Sequence, residues 1–374
     1  MKSSHCTTAP PEISSGPATE SSGTRLPLLC SYSIWAARLL MGALFLPFLI
    51  FSAAARAETP ADVLRPAIER GLRRIEKGAA NYTVHRQCFS CHHQAMPIVS
   101  LTSAQRHGLK IRPEEVRQQI EFTLDYFRPK KEEIAKGQWM PGGNTMAAYA
   151  LMALEAGDHP PDEITSALVQ YLVTHQRPDG SWPALTSRPP TEGSTFANNA
   201  LAIRALRTYG LAKKATGSED LRTRIHAALR KGESWLRQQE PVTMEDKAFY
   251  LRGLIHAGAD KKDIQSIRDR LIEEQQADGS WAQLSDLAGD AYATGNVLMA
   301  LRAAGLETAH PAYQKGIRFL LASQRPDGAW IVQTRSRPVQ TFFDNEDPGD
   351  KSQFISFVAT NWGVLALLDA YGRP

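Results

Sequence analysis

The chain has 374 residues and a formal net charge of only +4, and its basic and acidic side chains are interspersed along the sequence. Because no basic stripe is present, nucleic acid is excluded as a partner. Four cysteines in a chain of this length exclude a small disulfide scaffold. The sequence also lacks a glycine-rich phosphate loop, a flavin fingerprint and a Ser-His-Asp motif string.

The N-terminal part predicts an exported protein. Residues 1–32 are rich in Ser, Thr and Pro without periodicity, which indicates a disordered extension. Residues 33–57 are typical of a signal peptide: an apolar run at 39–54 is followed by Ala55-Arg56-Ala57, and cleavage is expected before Glu58. The protein is therefore predicted to be periplasmic or secreted. An uncleaved membrane anchor is the alternative, although the run is shorter than the roughly 20 residues that a transmembrane helix needs.

The stretch Gln87-Cys-Phe-Ser-Cys-His-His-Gln94 contains the two cysteines that remain after cleavage. Its spacing, C-x-x-C-H, is the attachment signature of c-type haem in exported proteins. Cys88 and Cys91 would each add across a haem vinyl group, and His92 would ligate the iron. A Cys88–Cys91 disulfide is one alternative, and a zinc site with His92 or His93 is another. Zinc is less favoured because no second cysteine pair or His-x-x-x-His run supplies four ligands.

A sixth iron ligand must come from elsewhere in the chain, because His93 is adjacent to His92 and cannot reach the opposite haem face. Met140, in the 137–143 loop, and Met146 are better placed, since a thioether is a known axial ligand. Haem c would make the protein an electron-transfer protein with a redox partner, or an oxidoreductase acting on a bound ligand.

Periodicity predicts twelve helices in six pairs across residues 58–374. Apolar helices that end at a glycine are expected at 90–107, 144–156, 195–209, 245–257, 290–304 and 353–371. Amphipathic helices are expected at 61–80, 113–128, 161–175, 219–238, 261–275 and 310–323. Helices that are apolar all round must be buried on two sides, whereas their partners show one polar face. The pattern therefore predicts an all-α fold, a closed (α/α)6 toroid of six inner and six outer helices; an open solenoid is the alternative.

A short repeat with the pattern Q-x-x-D-G-x-W occurs at 176–182, 275–281 and 324–330, and a degenerate copy lies near Trp235. Each good copy joins an outer helix to the next inner helix, so all three are expected at one rim. Asp-Gly sets a turn, the glutamine amide can bond around it, and the tryptophan can pack between neighbouring helix pairs. We therefore expect these residues to fasten the scaffold rather than to form an active site.

These turns resemble the QW repeats of squalene–hopene and oxidosqualene cyclases and, more loosely, the toroids of protein prenyltransferase β-subunits. The combination with C-x-x-C-H also resembles a group of exported bacterial squalene-cyclase-like proteins. The resemblance implies an (α/α)6 barrel whose cavity takes apolar, often isoprenoid, ligands. The chain departs from it in chemistry: it has length for one barrel, it lacks the prenyltransferase zinc set, and it lacks the cyclase Asp-x-Asp-Asp. The nearest string, Asp344-Asn345-Glu346-Asp347, lies in a Pro/Gly-containing loop and is expected to be solvated.

The starts of the inner helices are richer in polar and aromatic residues than a pure core requires, which indicates a partly polar pocket. The candidate pocket residues are Asn144, Tyr149, Phe196, Asn199, Asp246, Tyr250, Tyr292, Asn296, Phe354, Asn361 and Trp362. A helix cap is the alternative role for Asn144. Three functions remain open: a haem-bearing toroid, an isoprenoid-binding or cyclising enzyme without haem, and a toroidal interaction module.

Overall fold

The computed structural model describes residues 58–138, 140–212, 218–337 and 341–372. The predicted N-terminal extension, the signal peptide with its cleavage site and the alternative membrane anchor all fall within residues 1–57, outside the described residues.

Helices dominate the described part of the chain. They are α1 (Ala61–His85), α2 (Met96–Arg106), α3 (Pro113–Phe127), α4 (Lys131–Ala135), α5 (Gly143–Ala156), α6 (Glu163–Thr174), α7 (Thr195–Ala205), α8 (Glu219–Gln238), α9 (Met244–Ala257), α10 (Lys261–Glu273), α11 (Ala291–Ala303), α12 (Pro311–Ser323) and α13 (Gln353–Tyr371). Single π-helical turns precede α2 (Cys91–Ala95) and follow α7 (Leu206–Gly210), and 3-10 turns occur at Arg128–Lys130 and Asp350–Ser352. A two-stranded hairpin joins β1 (Trp281–Ala282) to β2 (Gly289–Asp290), with Trp281 opposite Asp290.

The fold is a closed (α/α)6 toroid, as predicted. The inner helices are α2, α5, α7, α9, α11 and α13; each packs on the next, and α13 packs back on α2. A hydrogen bond of 2.8 Å from Ser100 Oγ to Asn361 Oδ1 joins α2 to α13 where the ring closes. The outer helices α1, α3, α6, α8, α10 and α12 cover the inner ring. The short helix α4, which packs on α6, was not predicted.

The inner helices all run in the same direction, so their first turns meet at one rim, here called the entrance rim. Local sequence starts several of them: Ser194, Thr243 and Asp290 each accept a hydrogen bond from the backbone N–H three residues later. Among the described helices, one segment, Asp350–Tyr371, is long and apolar enough to span a membrane. It includes α13, and 78% of its most apolar part is buried inside the toroid.

The three repeated turns have the fastening role that the sequence predicted. Trp182, Trp281 and Trp330 are fully buried, and each indole N–H donates to a carbonyl of the preceding outer helix at 2.7–2.8 Å. Each glutamine amide donates both within its own turn and to the following outer helix, as Gln275 does to Gly279 and Ala312 at 2.8 Å. The predicted degenerate copy differs, because Trp235 lies within α8 and packs on Phe196.

The glycine in each turn is required for two reasons. Gly279 has φ +92°, a left-handed conformation that side chains disfavour. A Cβ atom at this position would also lie 2.5 Å from the carbonyl oxygen of Lys315, on the following outer helix. The turn therefore packs backbone against backbone, which holds one helix pair against the next.

Candidate functional site

The Cys88–Gln94 segment lies at the entrance rim, where the chain passes from α1 into α2. Ser90 caps the π-helical turn: its hydroxyl accepts from the His93 N–H at 2.9 Å and donates to Gln94 Oε1 at 2.9 Å. These bonds fix the two histidines that follow Cys91. The local sequence therefore orients the predicted haem-binding residues.

His92 and His93 belong to a chain of side chains that ends at Asp347, here called the histidine chain. The Nδ1 atoms of the two rings are within hydrogen-bond distance of each other, and His93 Nε2 lies 2.7 Å from Asp347 Oδ2. The His93 ring is stacked between Tyr82, with centroids 5.0 Å apart, and Phe357, at 4.0 Å. Stacking on both faces leaves His93 one orientation.

Asp347 is ionised, and both imidazoles are neutral. Burial raises the pKa of Asp347, but the hydrogen bonds from His93 and Asn345 and the charge of Arg74 bring it below its usual value. Burial lowers the pKa of His93 despite Asp347, and burial together with His93 and Arg188 lowers the pKa of His92 well below its usual value. The charged partner of Asp347 is Arg74 of α1, at 2.8 Å.

These protonation states fix the tautomers along the histidine chain. An ionised Asp347 can only accept, so His93 carries its proton on Nε2 and its Nδ1 is an acceptor. His92 must then donate from Nδ1, which leaves the lone pair of His92 on Nε2. A neutral histidine whose Nε2 is unprotonated, and whose Nδ1–H is held by a second group, is what iron ligation needs.

The position of Asp347 corrects the expectation of a solvated 344–347 loop. Asn345 is fully buried, and Asp347 is only 6% exposed. Asn345 Nδ2 donates to the Gly78 carbonyl at 3.0 Å, and Gly78 has no side chain, so α1 can approach closely: a Cβ there would lie 2.2 Å from Phe357. Loop composition predicted exposure, which holds for Asp344 and Glu346, whereas packing against α1 buries Asn345 and Asp347.

The two cysteines are thiols rather than halves of a disulfide, so the structure gives no support to that alternative. Cys88 is half-buried, with Sγ 3.5 Å from the Tyr82 hydroxyl, and Cys91 is 4% exposed. Burial, followed by Glu192, raises the pKa of Cys91 well above its usual value, so the thiol is protonated. Within the described ranges, no group of three or more His, Cys, Asp or Glu side chains is placed to hold a metal ion, which leaves the zinc alternative without a site there.

A second group of polar side chains lies on α9, α11 and α13 and is here called the Glu245 cluster: Glu245, Arg252, Tyr292, Asn296 and Trp362. Asn296 Nδ2 donates to Glu245 Oε2 at 2.7 Å, and Arg252 Nη2 donates to the Asn296 carbonyl at 2.8 Å. The Arg252 guanidinium lies 4.8 Å from the Trp362 ring centroid, a cation–π contact. Because α11 separates α9 from α13, this contact crosses the interior of the ring.

Glu245 is a buried carboxylic acid that is protonated at neutral pH. Burial raises its pKa to about 8, outweighing the opposite effects of Tyr292, Arg252 and Asn296. Burial lowers the pKa of Arg252 to about 10, so the guanidinium stays charged. Burial, then Glu245 and Cys91, raises the pKa of Tyr149 well above its usual value.

The loop between α6 and α7 lies over the same region. Arg188 and Glu192 form an ion pair and a short bridge in this loop, and both affect the pKa of Cys91. Thr191 is close enough to the Tyr292 hydroxyl on α11 to oppose the rise of its pKa. The loop therefore lies near Cys91 and Tyr292.

The structure brings together some of the predicted pocket residues but not all. Tyr149, Tyr292, Asn296 and Trp362 surround the interior, and Phe354 stacks on His92 with centroids 4.9 Å apart. Four have other roles. Phe196 and Tyr250 pack on each other, and Phe196 also packs on Trp235 of the outer helix α8. Asp246 caps α9, and Asn361 bonds to α2 where the ring closes. Asn199 is buried and donates to the Thr195 carbonyl, and Asn144 is buried in the first turn of α5.

Met140 is almost fully buried, and its described backbone hydrogen bonds are to Gly143 and the Tyr171 hydroxyl, on the side of the outer helix α6. Its role as an iron ligand stays a prediction. Sequence patterns indicated no site role for Glu245, Arg252 or Arg74, and they placed Asp347 in a solvated loop. Glu245 carried one detectable signal, because it is a carboxylate in the first turn of a helix predicted to be buried on two sides.

Comparisons with known proteins agree with this architecture. The profile of the squalene-hopene cyclase N-terminal domain matches residues 222–323. No curated protein sequence matches the chain significantly. The described part of the chain is an α/α toroid, and residues 222–323 resemble the squalene-hopene cyclase N-terminal domain.

Solved structures show the same fold at low identity. A type II terpene cyclase from Scytonema in complex with geranylgeranyl dihydroxybenzoate is 17% identical, with a TM-score of 0.53, covering 82% of this chain and 99% of that one. A protein from Actinoplanes gives a TM-score of 0.53 at 14% identity, covering 82% and 99% of the two chains. A glycosidase in complex with glucose gives 0.53 at 12% identity, covering 82% and 98%. The shared fold therefore does not fix the reaction.

Proposed function

We propose that this squalene-cyclase-like toroid binds an apolar, isoprenoid-like small molecule inside its ring. The observation that carries the proposal is the contact between Arg252 and Trp362, because side chains of two inner helices that are not neighbours meet in the interior. Arg252, Met146 and Phe354 keep accessible surface although their helices are enclosed by the outer layer. We infer that this surface faces the inside of the ring, where a ligand would be held among apolar and aromatic side chains.

A binding titration tests this function. Residues 58–374 are titrated with farnesol and, separately, with glucose, and binding is followed by tryptophan fluorescence and by native mass spectrometry. We expect one farnesol per chain and no glucose. Glucose is the control because a glycosidase shares the fold. Binding of glucose but not of farnesol would reject the proposal.

A second function rests on the histidine chain: covalent haem c at Cys88, Cys91 and His92 of an exported, periplasmic or secreted protein. The donor set fits, because the tautomers leave the His92 lone pair on Nε2 and both cysteines are thiols. Bound haem would supply one-electron chemistry, serving exchange with a redox partner or oxidation of a ligand in the ring. Cys91 is buried, so its thiol would have to react before the chain closes around it.

Expression with a c-type maturation system tests the haem function. The wild type should show the absorption spectrum of a covalent haem that survives denaturation, and Cys88→Ser or Cys91→Ser should lose a thioether link. Cys6→Ser, in the predicted extension, is the control and should change nothing. A colourless wild-type protein that binds farnesol would leave the first function standing without the second.

A further inference from the structure

The Glu245 cluster contains buried polar atoms that the protein itself does not use. No described residue makes a hydrogen bond of normal geometry to Glu245 Oε1, Asn296 Oδ1 or Trp362 Nε1, although the Tyr292 hydroxyl lies near enough to the Glu245 carboxyl to lower its pKa. Each of the three side chains is more than nine-tenths buried. A buried polar atom without a partner is costly, so three in one region point to a group that is supplied from outside the chain.

The backbone brings these three residues close together. Gly295 lets α13 approach α11 closely: a Cβ at this position would lie 2.7 Å from the backbone of Trp362. Trp362 therefore lies beside the turn that carries Asn296, and Asn296 binds Glu245 at 2.7 Å. Arg252 touches two of the three residues, through the Asn296 carbonyl and the Trp362 ring.

The atoms form a set of matched donors and acceptors. Protonated Glu245 offers an O–H, Trp362 offers an N–H, and Asn296 Oδ1 accepts. A hydroxyl or carbonyl oxygen can accept from the first two, and a hydroxyl can also donate to the third. A hydrocarbon would leave all three unsatisfied.

We propose that Glu245, Asn296 and Trp362 bind an uncharged, oxygen-bearing group, a hydroxyl or a carbonyl, at one end of the isoprenoid-like ligand. This inference rests on the proposed function and names the ligand class further: an isoprenoid alcohol, aldehyde or ketone rather than a pure hydrocarbon. Arg252 faces the same region, but its guanidinium already bonds to Asn296 and lies on Trp362. We propose a neutral rather than an anionic head group because a hydroxyl or carbonyl oxygen already matches the three unpaired atoms.

The test compares three probes that share one chain: farnesol, the same hydrocarbon with hydrogen in place of the hydroxyl, and farnesyl phosphate. At about fivefold in affinity per hydrogen bond, farnesol should bind the wild type at least about tenfold more tightly than the hydrocarbon. Glu245→Gln keeps a neutral donor and should retain that preference, whereas Glu245→Leu should lose most of it. Trp362→Phe keeps the ring, removes the N–H and should weaken farnesol binding about fivefold. Glu121→Gln, on the exposed face of α3, is the control.

The outcomes separate this inference from the proposed function. Equal affinity for farnesol and the hydrocarbon would overturn the inference and leave ligand binding in the ring intact. Tighter binding of farnesyl phosphate would also overturn it, because Arg252 would then be selecting an anion. Failure of all three probes to bind would reject both ideas. If Glu245→Leu does not fold, Glu245→Gln and Trp362→Phe still decide the matter, since an unchanged preference in Trp362→Phe excludes a bond from its N–H.

Discussion

Replacing Glu245 by Gln should stabilise the protein relative to the wild type, and this difference in unfolding free energy should increase as the pH rises. The pKa of Glu245 is about 8 in the folded protein, against an ordinary value of 4.5. Between these values the folded state holds a proton that the unfolded chain has released, so the wild type loses stability with rising pH. The loss amounts to about 1.4 kcal/mol per pH unit within that interval. Glutamine has no proton to lose and resembles the protonated acid in shape and polarity.

The free energy of unfolding of Glu245→Gln should therefore be close to that of the wild type at pH 5 and greater by about 3 to 4 kcal/mol at pH 8. Urea titrations followed by far-ultraviolet circular dichroism at pH 5, 6, 7 and 8 measure this difference. Glu121→Gln, which removes an exposed carboxylate from α3, is the control for the effect on unfolding free energy of losing any one carboxylate. A difference that does not change with pH would show that Glu245 is ionised throughout, and the assignment of a protonated acid would be wrong.

Three further predictions concern the scaffold and the histidine chain. Trp281→Ala removes a buried ring and its 2.7 Å bond to Leu271 and should cost about 3–5 kcal/mol of unfolding free energy, without changing farnesol binding by the folded fraction. Gly279→Ala should cost more than Gly305→Ala: both glycines have positive φ, but a Cβ at Gly305 meets nothing within 4 Å, so equal losses would contradict the close approach. Asp347→Asn should alter the 15N chemical shifts that report the His93 tautomer. Unchanged shifts would show that Asp347 does not belong to the histidine chain.

The sequence alone determined most of the secondary structure. The helices at 219–238 and 353–371 have the predicted bounds, because an amphipathic pattern in the first and an apolar run that ends at Gly372 in the second are local properties. The repeated turns were equally predictable, since Asp-Gly, Gln and Trp act within one turn and the two helices beside it. Closure of the ring followed from six inner helices that are apolar all round.

Only the tertiary structure decided which polar residues meet. His93 and Asp347 are 254 positions apart and become neighbours because α13 returns to α1 and α2 when the ring closes. The same closure buries Asp347, whose loop composition indicated solvent. The sequence of an inner helix that is apolar all round does not reveal which side chains face the interior. Phe196 and Tyr250 were predicted for the pocket, but Phe196 lies against the outer helix α8 and the two rings pack on each other. Glu245 looked like one of two acidic residues starting α9, and only its enclosure by α11 and α13 makes it a protonated acid.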